Sequence, residues 1–164
     1  VKRLNLLLAI WEKFEVSAPK SWRLRIAGGL DNEHAKHLLN QFKHLESVDW
    51  LGQLTESEMQ QELQDARVVA MTSRNECYPM ILLEALANGC SLLAFDVISG
   101  PRHIINKFVN TGFLVRDGDL QAYLSALLVL IRTSNNESIR NSVYSFIALN
   151  NLNESSHLEF WKTL

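Results

Sequence analysis

The fold is decided by residues 73–85, which read Ser73-Arg74-Asn75-Glu76-Cys77-Tyr78-Pro79-Met80-Ile81-Leu82-Leu83-Glu84-Ala85. The apolar run Val68-Val69-Ala70-Met71 precedes them, and such a run predicts a buried strand. Pro79 predicts a helix start, because its fixed φ suits the first helical position and its missing N–H costs nothing there. The sequence therefore predicts a strand, a short polar loop and a helix N-terminus, in that order.

A helix N-terminus that follows a strand end is a natural anion site. We expect the backbone N–H groups of Met80, Ile81 and Leu82 to lack intrahelical partners, with the positive end of the helix dipole behind them. Two carboxylates flank this site: Glu76 in the loop, and Glu84 about one and a half turns into the helix. The apolar neighbours of Glu84 predict that its carboxylate is buried, and a buried carboxylate needs a partner.

Composition indicates one globular domain in a reducing compartment. The 164 residues suit a single domain, and a net charge of −2 gives no sign of a nucleic-acid surface. Two cysteines, Cys77 and Cys90, are too few for a disulfide scaffold. No apolar run approaches the ~18 residues of a membrane span, and no signal-peptide pattern is present. Because the chain begins inside a helical pattern, we expect a fragment of a longer protein.

Helical and strand patterns alternate along the chain. The predicted strands are 22–27, 48–52, 68–71, 90–95 and 112–115, and the predicted helices are 4–17, 31 or 32–44, 56–65, 79–88, 101–107, 119–133, 136–149 and 154–163. Apolar strands separated by helices are typical of a parallel sheet covered on both faces. The predicted fold is therefore a doubly wound α/β domain of three layers, α/β/α, which binds ligands beyond the carboxyl ends of its strands.

Several loops should meet at that edge of the sheet. They are 28–29, 52–55, the loop that contains Glu76, 96–102 and 116–118. His34 and His37 share a helix face, but no third metal ligand is near them in the sequence, so we expect that face to be solvated and predict no metal site.

Glu76 and Glu84 are separated by seven residues, and residues 73–89 resemble the E-x7-E signature of the retaining glycosyltransferases of family four, the glycosyl transferases group 1. Further segments are similar to the family in the same order, namely Ala27-Gly28-Gly29, 50–54, Ser99-Gly100-Pro101-Arg102 and 110–115. The resemblance implies a GT-B enzyme with two Rossmann-like domains, of which residues 1–164 would be the C-terminal, donor-binding one. It also implies an N-terminal acceptor domain, and a first strand of this domain, that this sequence lacks.

The resemblance also implies a role for each matching residue. Glu76 would accept hydrogen bonds from the hydroxyls of the donor sugar, beside the backbone N–H groups of Cys77 and Tyr78. The family usually carries glycine where Cys77 stands, so the identity of the sugar stays open. The amides of Met80 and Ile81 would hold the pyrophosphate.

The remaining roles concern the phosphates and the nucleoside. Lys2 matches a phosphate-binding lysine of the family, with Arg3 as the neighbouring alternative. Glu84 would bind both ribose hydroxyls, Leu54 would lie against the base, and Gly28 would also contact the donor. The departing nucleoside diphosphate would be stabilised by amides, by Lys2 and by the helix dipole. We expect no Asp-x-Asp motif to lie in the crevice, and we therefore predict no cofactor and no obligatory metal.

The implied function is transfer of a hexose from a nucleoside-diphosphate sugar, taken as a UDP-sugar, to a glycan or lipid-linked acceptor during synthesis of a bacterial surface polysaccharide such as lipopolysaccharide. We expect the isolated chain to be inactive, because half of the cleft is missing. The protein would lie in the cytoplasm, either free or peripheral on the inner face of the membrane. The alternatives are another GT-B enzyme, such as an epimerase or a phosphorylase, and a non-catalytic flavodoxin-like binding module.

Overall fold

The computed structural model describes residues 2–29, 33–77, 79–98, 100–108 and 110–149. Within these residues the helices are α1 (Leu4–Ser17), α2 (Glu33–Gln41), α3 (Glu56–Asp65), α4 (Met80–Ala87), α5 (Pro101–Lys107), α6 (Leu120–Thr133) and α7 (Asn136–Leu149), and the strands are β1 (Leu24–Ala27), β2 (Val48–Gly52), β3 (Val68–Met71), β4 (Ser91–Asp96) and β5 (Gly112–Arg116). The predicted alternation is confirmed here. The helix predicted at 154–163 and the cap predicted at Asp31 or Asn32 lie outside the described residues.

Every strand pair in the described part of the chain is parallel. β1 pairs with β2, and β3, β4 and β5 form a second group in that order, with Met71 opposite Ala94 and Leu93 opposite Phe113. The described residues show no ladder between the two groups. In each group the carboxyl ends of the strands therefore lie at one edge.

β4 is the most buried strand and separates two hydrophobic cores. Leu93 and Phe95 enter the first core, which α1, α2 and α6 cover. Leu92 and Ala94 enter the second core, which α3, α4, α5 and α7 cover. Because alternate side chains of one strand enter opposite cores, the predicted parallel sheet with helices on both faces is confirmed.

A buried tyrosine joins α6 to the sheet. The hydroxyl of Tyr123 lies 3.0 Å from the carbonyl oxygen of Leu93 and 3.3 Å from that of Met71, and it donates toward both. Burial raises the pKa of this hydroxyl above its ordinary value, so it stays protonated as a donor. The contact fixes α6 over the end of β3 and the middle of β4.

The start of α3 follows the predicted capping signal. The Thr55 hydroxyl accepts from the Glu58 backbone N–H at 3.3 Å, and the Glu58 carboxylate accepts from the Thr55 N–H at 2.7 Å. The Glu58 carboxylate also accepts a hydrogen bond from the Thr55 hydroxyl at 2.7 Å. This hydrogen bond first, and that from the Thr55 N–H second, hold the pKa of Glu58 below its ordinary value. The cap satisfies two donors that would otherwise lack partners.

Gly112 gives a test of how closely β4 and β5 approach. A Cβ atom at Gly112 would lie 2.0 Å from the backbone oxygen of Leu92. We therefore expect Gly112→Ala to lower the free energy of unfolding by about 3 kcal/mol, the upper end of ordinary overpacking, because backbone must move. Urea denaturation measures this loss.

The matched control is Gly118→Ala. Gly118 has φ +81° and open space around the added atom, so its substitution costs only the left-handed conformation, about 1–2 kcal/mol. If Gly112→Ala were no more destabilising than Gly118→Ala, the close strand approach would be contradicted.

Candidate functional site

The two residues predicted to act in catalysis meet at the carboxyl edge of the β3–β5 group. The Lys2 Nζ atom lies 2.7 Å from Oε1 of Glu76, although 74 positions separate them in the sequence. The Lys2 side chain is 78% exposed and that of Glu76 is 18% exposed. The N-terminus of α1 and the loop after β3 therefore form one site.

Glu76 is held in its charged form. Its pKa is lowered chiefly by the hydrogen bond from the Lys2 ammonium and further by a hydrogen bond from the Ser73 side chain, while burial opposes both. The carboxylate is thus ionised at neutral pH and acts as an acceptor of hydrogen bonds.

The structure distinguishes Lys2 from Arg3, the neighbouring candidate for the phosphate-binding cation. The Arg3 guanidinium turns toward the protein, where Nε donates to the Thr72 carbonyl at 2.7 Å and Nη2 lies 2.6 Å from Oδ1 of Asp117. Lys2 is therefore the cation placed at Glu76. Sequence reasoning missed the contacts of Arg3; the opposite charge of Asp117 at a neighbouring strand end was their only signal in the sequence.

The N-terminus of α4 differs in two details from the prediction. Pro79 is the N-cap residue, with φ −76° and ψ 94°, so the helix begins at Met80, one residue later than predicted. The Leu82 N–H donates to the Pro79 carbonyl at 3.0 Å, so the prediction that this donor is free was wrong. A tight turn of i to i+3 type satisfies it. Met80 and Ile81 occupy the first two helical positions.

Glu84 is exposed, and the prediction that it is buried was wrong. Four of its neighbours, Leu82, Leu83, Ala85 and Leu86, are fully buried on the inner face of α4. Because successive helical residues turn by about 100°, the apolar neighbours in sequence do not surround Glu84 in space. Its carboxylate faces solvent on the outer side of the helix.

The other predicted residues lie in separate segments of the chain. Cys77 is exposed beside Glu76, and Tyr78 lies outside the described residues. Gly28 and Leu54 follow β1 and β2, and the Gly28 N–H donates to the Gly52 carbonyl at 2.7 Å. Lys2 and Glu76 are thus brought into contact, while Gly28 and Leu54 belong to the other strand group.

The loop after β4 lies against the Glu76 loop. Gly100 has φ +29°, and a Cβ atom there would lie 2.5 Å from the Glu76 carbonyl oxygen and 2.7 Å from Cδ of Pro79. Only glycine fits this approach without displacing the loop. Next to it, both Nε and Nη2 of Arg102 donate to the Asp96 carboxylate, at 2.6 and 2.9 Å. The two loops are therefore in close contact, and the Arg102–Asp96 pair ties the start of α5 to the end of β4.

The described residues contain neither a metal-binding cluster nor a membrane-spanning helix. No group of three or more His, Cys, Asp or Glu residues there is arranged to hold a metal ion. None of the described helices has the length and hydropathy to cross a membrane.

Comparison with known proteins identifies the class. The family model of the glycosyl transferases group 1 matches residues 1–143, and the chain belongs to this family. It is 32% identical over 113 residues to the lipopolysaccharide 1,6-galactosyltransferase of Escherichia coli K12, covering 67% of this chain and 31% of that one. It is 34% identical over 106 residues to the amylovoran biosynthesis glycosyltransferase AmsD of Erwinia amylovora, covering 63% and 28%.

Solved structures agree on the fold. The apo form of the lipopolysaccharide outer core galactosyltransferase WaaB superposes with a TM-score of 0.69 and 25% identity, covering 88% of this chain and 41% of that one. The pneumococcal O-GlcNAc transferase GtfA, solved with UDP and GlcNAc, gives a TM-score of 0.71 at 21% identity, covering 99% and 32%. The chain has the fold of the C-terminal domain of GT-B glycosyltransferases. It spans about a third of the length of these relatives.

Lys2→Met tests the ion pair of the site. We expect the pKa of Glu76 to rise toward its ordinary value, because the hydrogen bond from Lys2 that lowers it most is removed. A lowered folded-state pKa stabilises the protein above the unfolded-state pKa, so the variant should be less stable at pH 7 by under about 1 kcal/mol. This difference should vanish as the pH falls through the folded-state pKa of Glu76.

Carboxyl ¹³C NMR and urea denaturation against pH measure these effects. Lys20→Met removes an exposed lysine elsewhere and is the control. An unchanged pKa of Glu76 in Lys2→Met would contradict the contact.

Gly100→Ala tests the packing of the two loops. The added Cβ would overlap the Glu76 carbonyl, so we expect shifted backbone amide resonances at residues 73–77 and a stability loss of roughly 1–3 kcal/mol. Gly52→Ala is the control, because Gly52 has φ +69° and open space. Unshifted resonances at 73–77 in Gly100→Ala would show that the loops are independent.

Proposed function

We propose that this chain is the donor-binding domain of a retaining glycosyltransferase, which moves a hexose from a UDP-sugar to a glycan or lipid-linked acceptor of a bacterial surface polysaccharide. The observation that carries the proposal is the contact of Lys2 with Glu76 at the carboxyl edge of the sheet. The family match supports the reaction class, and the names of the relatives, which concern lipopolysaccharide and amylovoran synthesis, support the class of acceptor.

Lys2 and the start of α4 hold the diphosphate in this proposal. The ammonium of Lys2 is largely solvated, so moving it from Glu76 to a phosphate oxygen costs little desolvation. The amides of Met80 and Ile81 lie at the positive end of the helix dipole. When the bond between the sugar and the diphosphate breaks, negative charge grows on the leaving group, and these groups stabilise it.

Glu76 then binds the sugar. Once Lys2 turns to the phosphates, the ionised Glu76 carboxylate keeps the hydrogen bond from Ser73 and loses that from Lys2, which a sugar hydroxyl replaces. Glu76 is mostly buried, so it binds hydroxyls in a fixed place. Backbone N–H groups of Cys77 and Tyr78 lie next in sequence and complete the sugar contacts.

Glu84 binds the ribose in this proposal. Its carboxylate offers only acceptors, which suits two vicinal hydroxyls, and its exposure leaves it accessible. The opposite face of α4 is buried, so the carboxylate projects from a rigid helix. Leu54 contacts the base and Gly28 the donor from the ends of the other two strands.

We further propose that donor binding requires no metal or other cofactor, because Lys2 and the α4 amides already provide positive potential at the diphosphate. Turnover requires an acceptor-binding half, so the isolated chain binds donor without transferring it. We place the protein in the cytoplasm, free or at the inner face of the membrane. The family match argues against a non-catalytic flavodoxin-like module.

Titration calorimetry with UDP, GDP and ADP tests this function. We expect UDP to bind most tightly, with an affinity unchanged by EDTA. Glu84→Ala should weaken UDP binding at least tenfold, because hydrogen bonds to a charged group contribute about 1.5–3 kcal/mol.

Glu137→Ala is the control, since it also removes an exposed helical glutamate. Equal affinity of the wild type and Glu84→Ala would exclude Glu84 from the ribose site. Tighter binding of GDP or ADP than of UDP would overturn the choice of base, and loss of binding in EDTA would overturn the metal-free proposal.

A further inference from the structure

Arg3 adopts a backbone conformation that arginine rarely takes. Its φ of 51° and ψ of 43° lie in the left-handed region, and it stands at the N-cap of α1. Such a conformation is unfavourable for a residue with a side chain and persists only where surrounding contacts enforce it. The contacts of Arg3 must therefore be strong enough to hold it in this conformation.

The guanidinium of Arg3 touches the end of each strand in the β3–β5 group. After β3 it donates to the carbonyls of Thr72, at 2.7 Å, and Ser73, at 3.1 Å. Within β4 its Cζ lies 5.1 Å from the centre of the Phe95 ring, and after β5 it pairs with Asp117 at 2.6 Å. Its side chain is only 17% exposed. One side chain thus joins three strand ends.

The main chain beside Arg3 is held as firmly as its side chain. The Thr72 hydroxyl lies 3.0 Å from the Lys2 carbonyl oxygen and 3.2 Å from that of Arg3, and it donates toward them. Thr72 itself is buried. Side-chain and main-chain contacts therefore run in both directions between residues 2–3 and residues 72–73.

We propose that Arg3 is the positioning residue of the donor site, which fixes the Lys2 ammonium at Glu76 by clamping the start of α1 onto the loop after β3. Lys2 itself is exposed and has a flexible side chain, so its own packing does not place it. Asp117 balances the charge of Arg3, so Arg3 acts by holding the chain in position and not through its charge. The proposal rests on the proposed function only for the identity of the ligand.

The clamp requires the shape of arginine. A planar guanidinium presents several N–H donors in a rigid fork and stacks on aromatic rings, whereas an ammonium is a point charge on a flexible stem. Arg3→Lys keeps the charge but cannot reach two carbonyls, a carboxylate and the Phe95 ring together. Arg3→Gly removes every side-chain contact and also relieves the left-handed backbone.

The test measures two quantities: the pKa of Glu76 in the absence of ligand, and the affinity of the site for UDP. In folded Arg3→Gly, carboxyl ¹³C NMR should show the pKa of Glu76 shifted upward toward its value in Lys2→Met, since Lys2 is no longer held beside it. Arg3→Lys should fall between Arg3→Gly and the wild type. UDP affinity by calorimetry should fall about tenfold in Arg3→Gly, as for loss of one charge-assisted hydrogen bond. Circular dichroism confirms folding.

Arg23→Lys is the matched control, because it weakens the exposed pair of Arg23 with Asp49 in the other strand group and should leave both readouts unchanged. If Arg3→Gly does not fold, the pKa of Glu76 measured in Arg3→Lys and in Asp117→Asn decides whether Arg3 positions Lys2. A wild-type pKa of Glu76 in folded Arg3 variants overturns the positioning role. If the wild type does not bind UDP, the proposed function fails, while the NMR measurement still decides the role of Arg3.

Discussion

The burial of β4 on both faces is the constraint on which the rest of the structure depends. Leu92 and Leu93 point to opposite cores and are both fully buried, and each buried leucine contributes about 1.5–3 kcal/mol. A strand covered on both faces by helices takes parallel neighbours, since the helices are the crossover connections. β3 and β5 therefore run parallel to β4, and the loops that carry Glu76, Gly100 and Asp117 emerge at one edge. The site follows from the core.

Charges at this edge differ in how firmly they are held. Arg3 is mostly buried and has several partners, so breaking its pair with the more exposed Asp117 would leave the charge of Arg3 poorly solvated. Lys2 is mostly exposed, and an exposed ion pair contributes at most about 1 kcal/mol. The buried cation therefore suits a fixed structural contact, and the exposed one suits exchange between Glu76 and an incoming anion. The two adjacent cations, Lys2 and Arg3, thus differ in how firmly their contacts are held.

Periodicity and turn chemistry predicted the alternation of elements, because apolar strands and caps such as that of Thr55 are local features of the sequence. Position within a helix face was harder to predict. Glu84 was expected to be buried because of its neighbours in sequence, but a helix turns each residue away from the next. The contacts of Arg3 depend on three strand ends that only the tertiary fold brings together, so no local pattern contains them. The resemblance to a family assigned Lys2 and Glu76 to the same donor site, but it did not predict their ion pair, which joins residues 74 positions apart.

Interlocked loops give the candidate site its rigidity without a ligand. The Gly100 backbone lies so close to the Glu76 carbonyl that a side chain there would overlap it, so the two loops pack directly against each other. Arg102 fixes the second loop to Asp96, and Arg3 fixes the first to α1. Groups held in place before binding lose little conformational entropy when a ligand arrives. On the proposed function, Arg3 and Thr72 hold the backbone at Lys2 in place, and the exposed Lys2 side chain is the group that changes partners when the diphosphate binds.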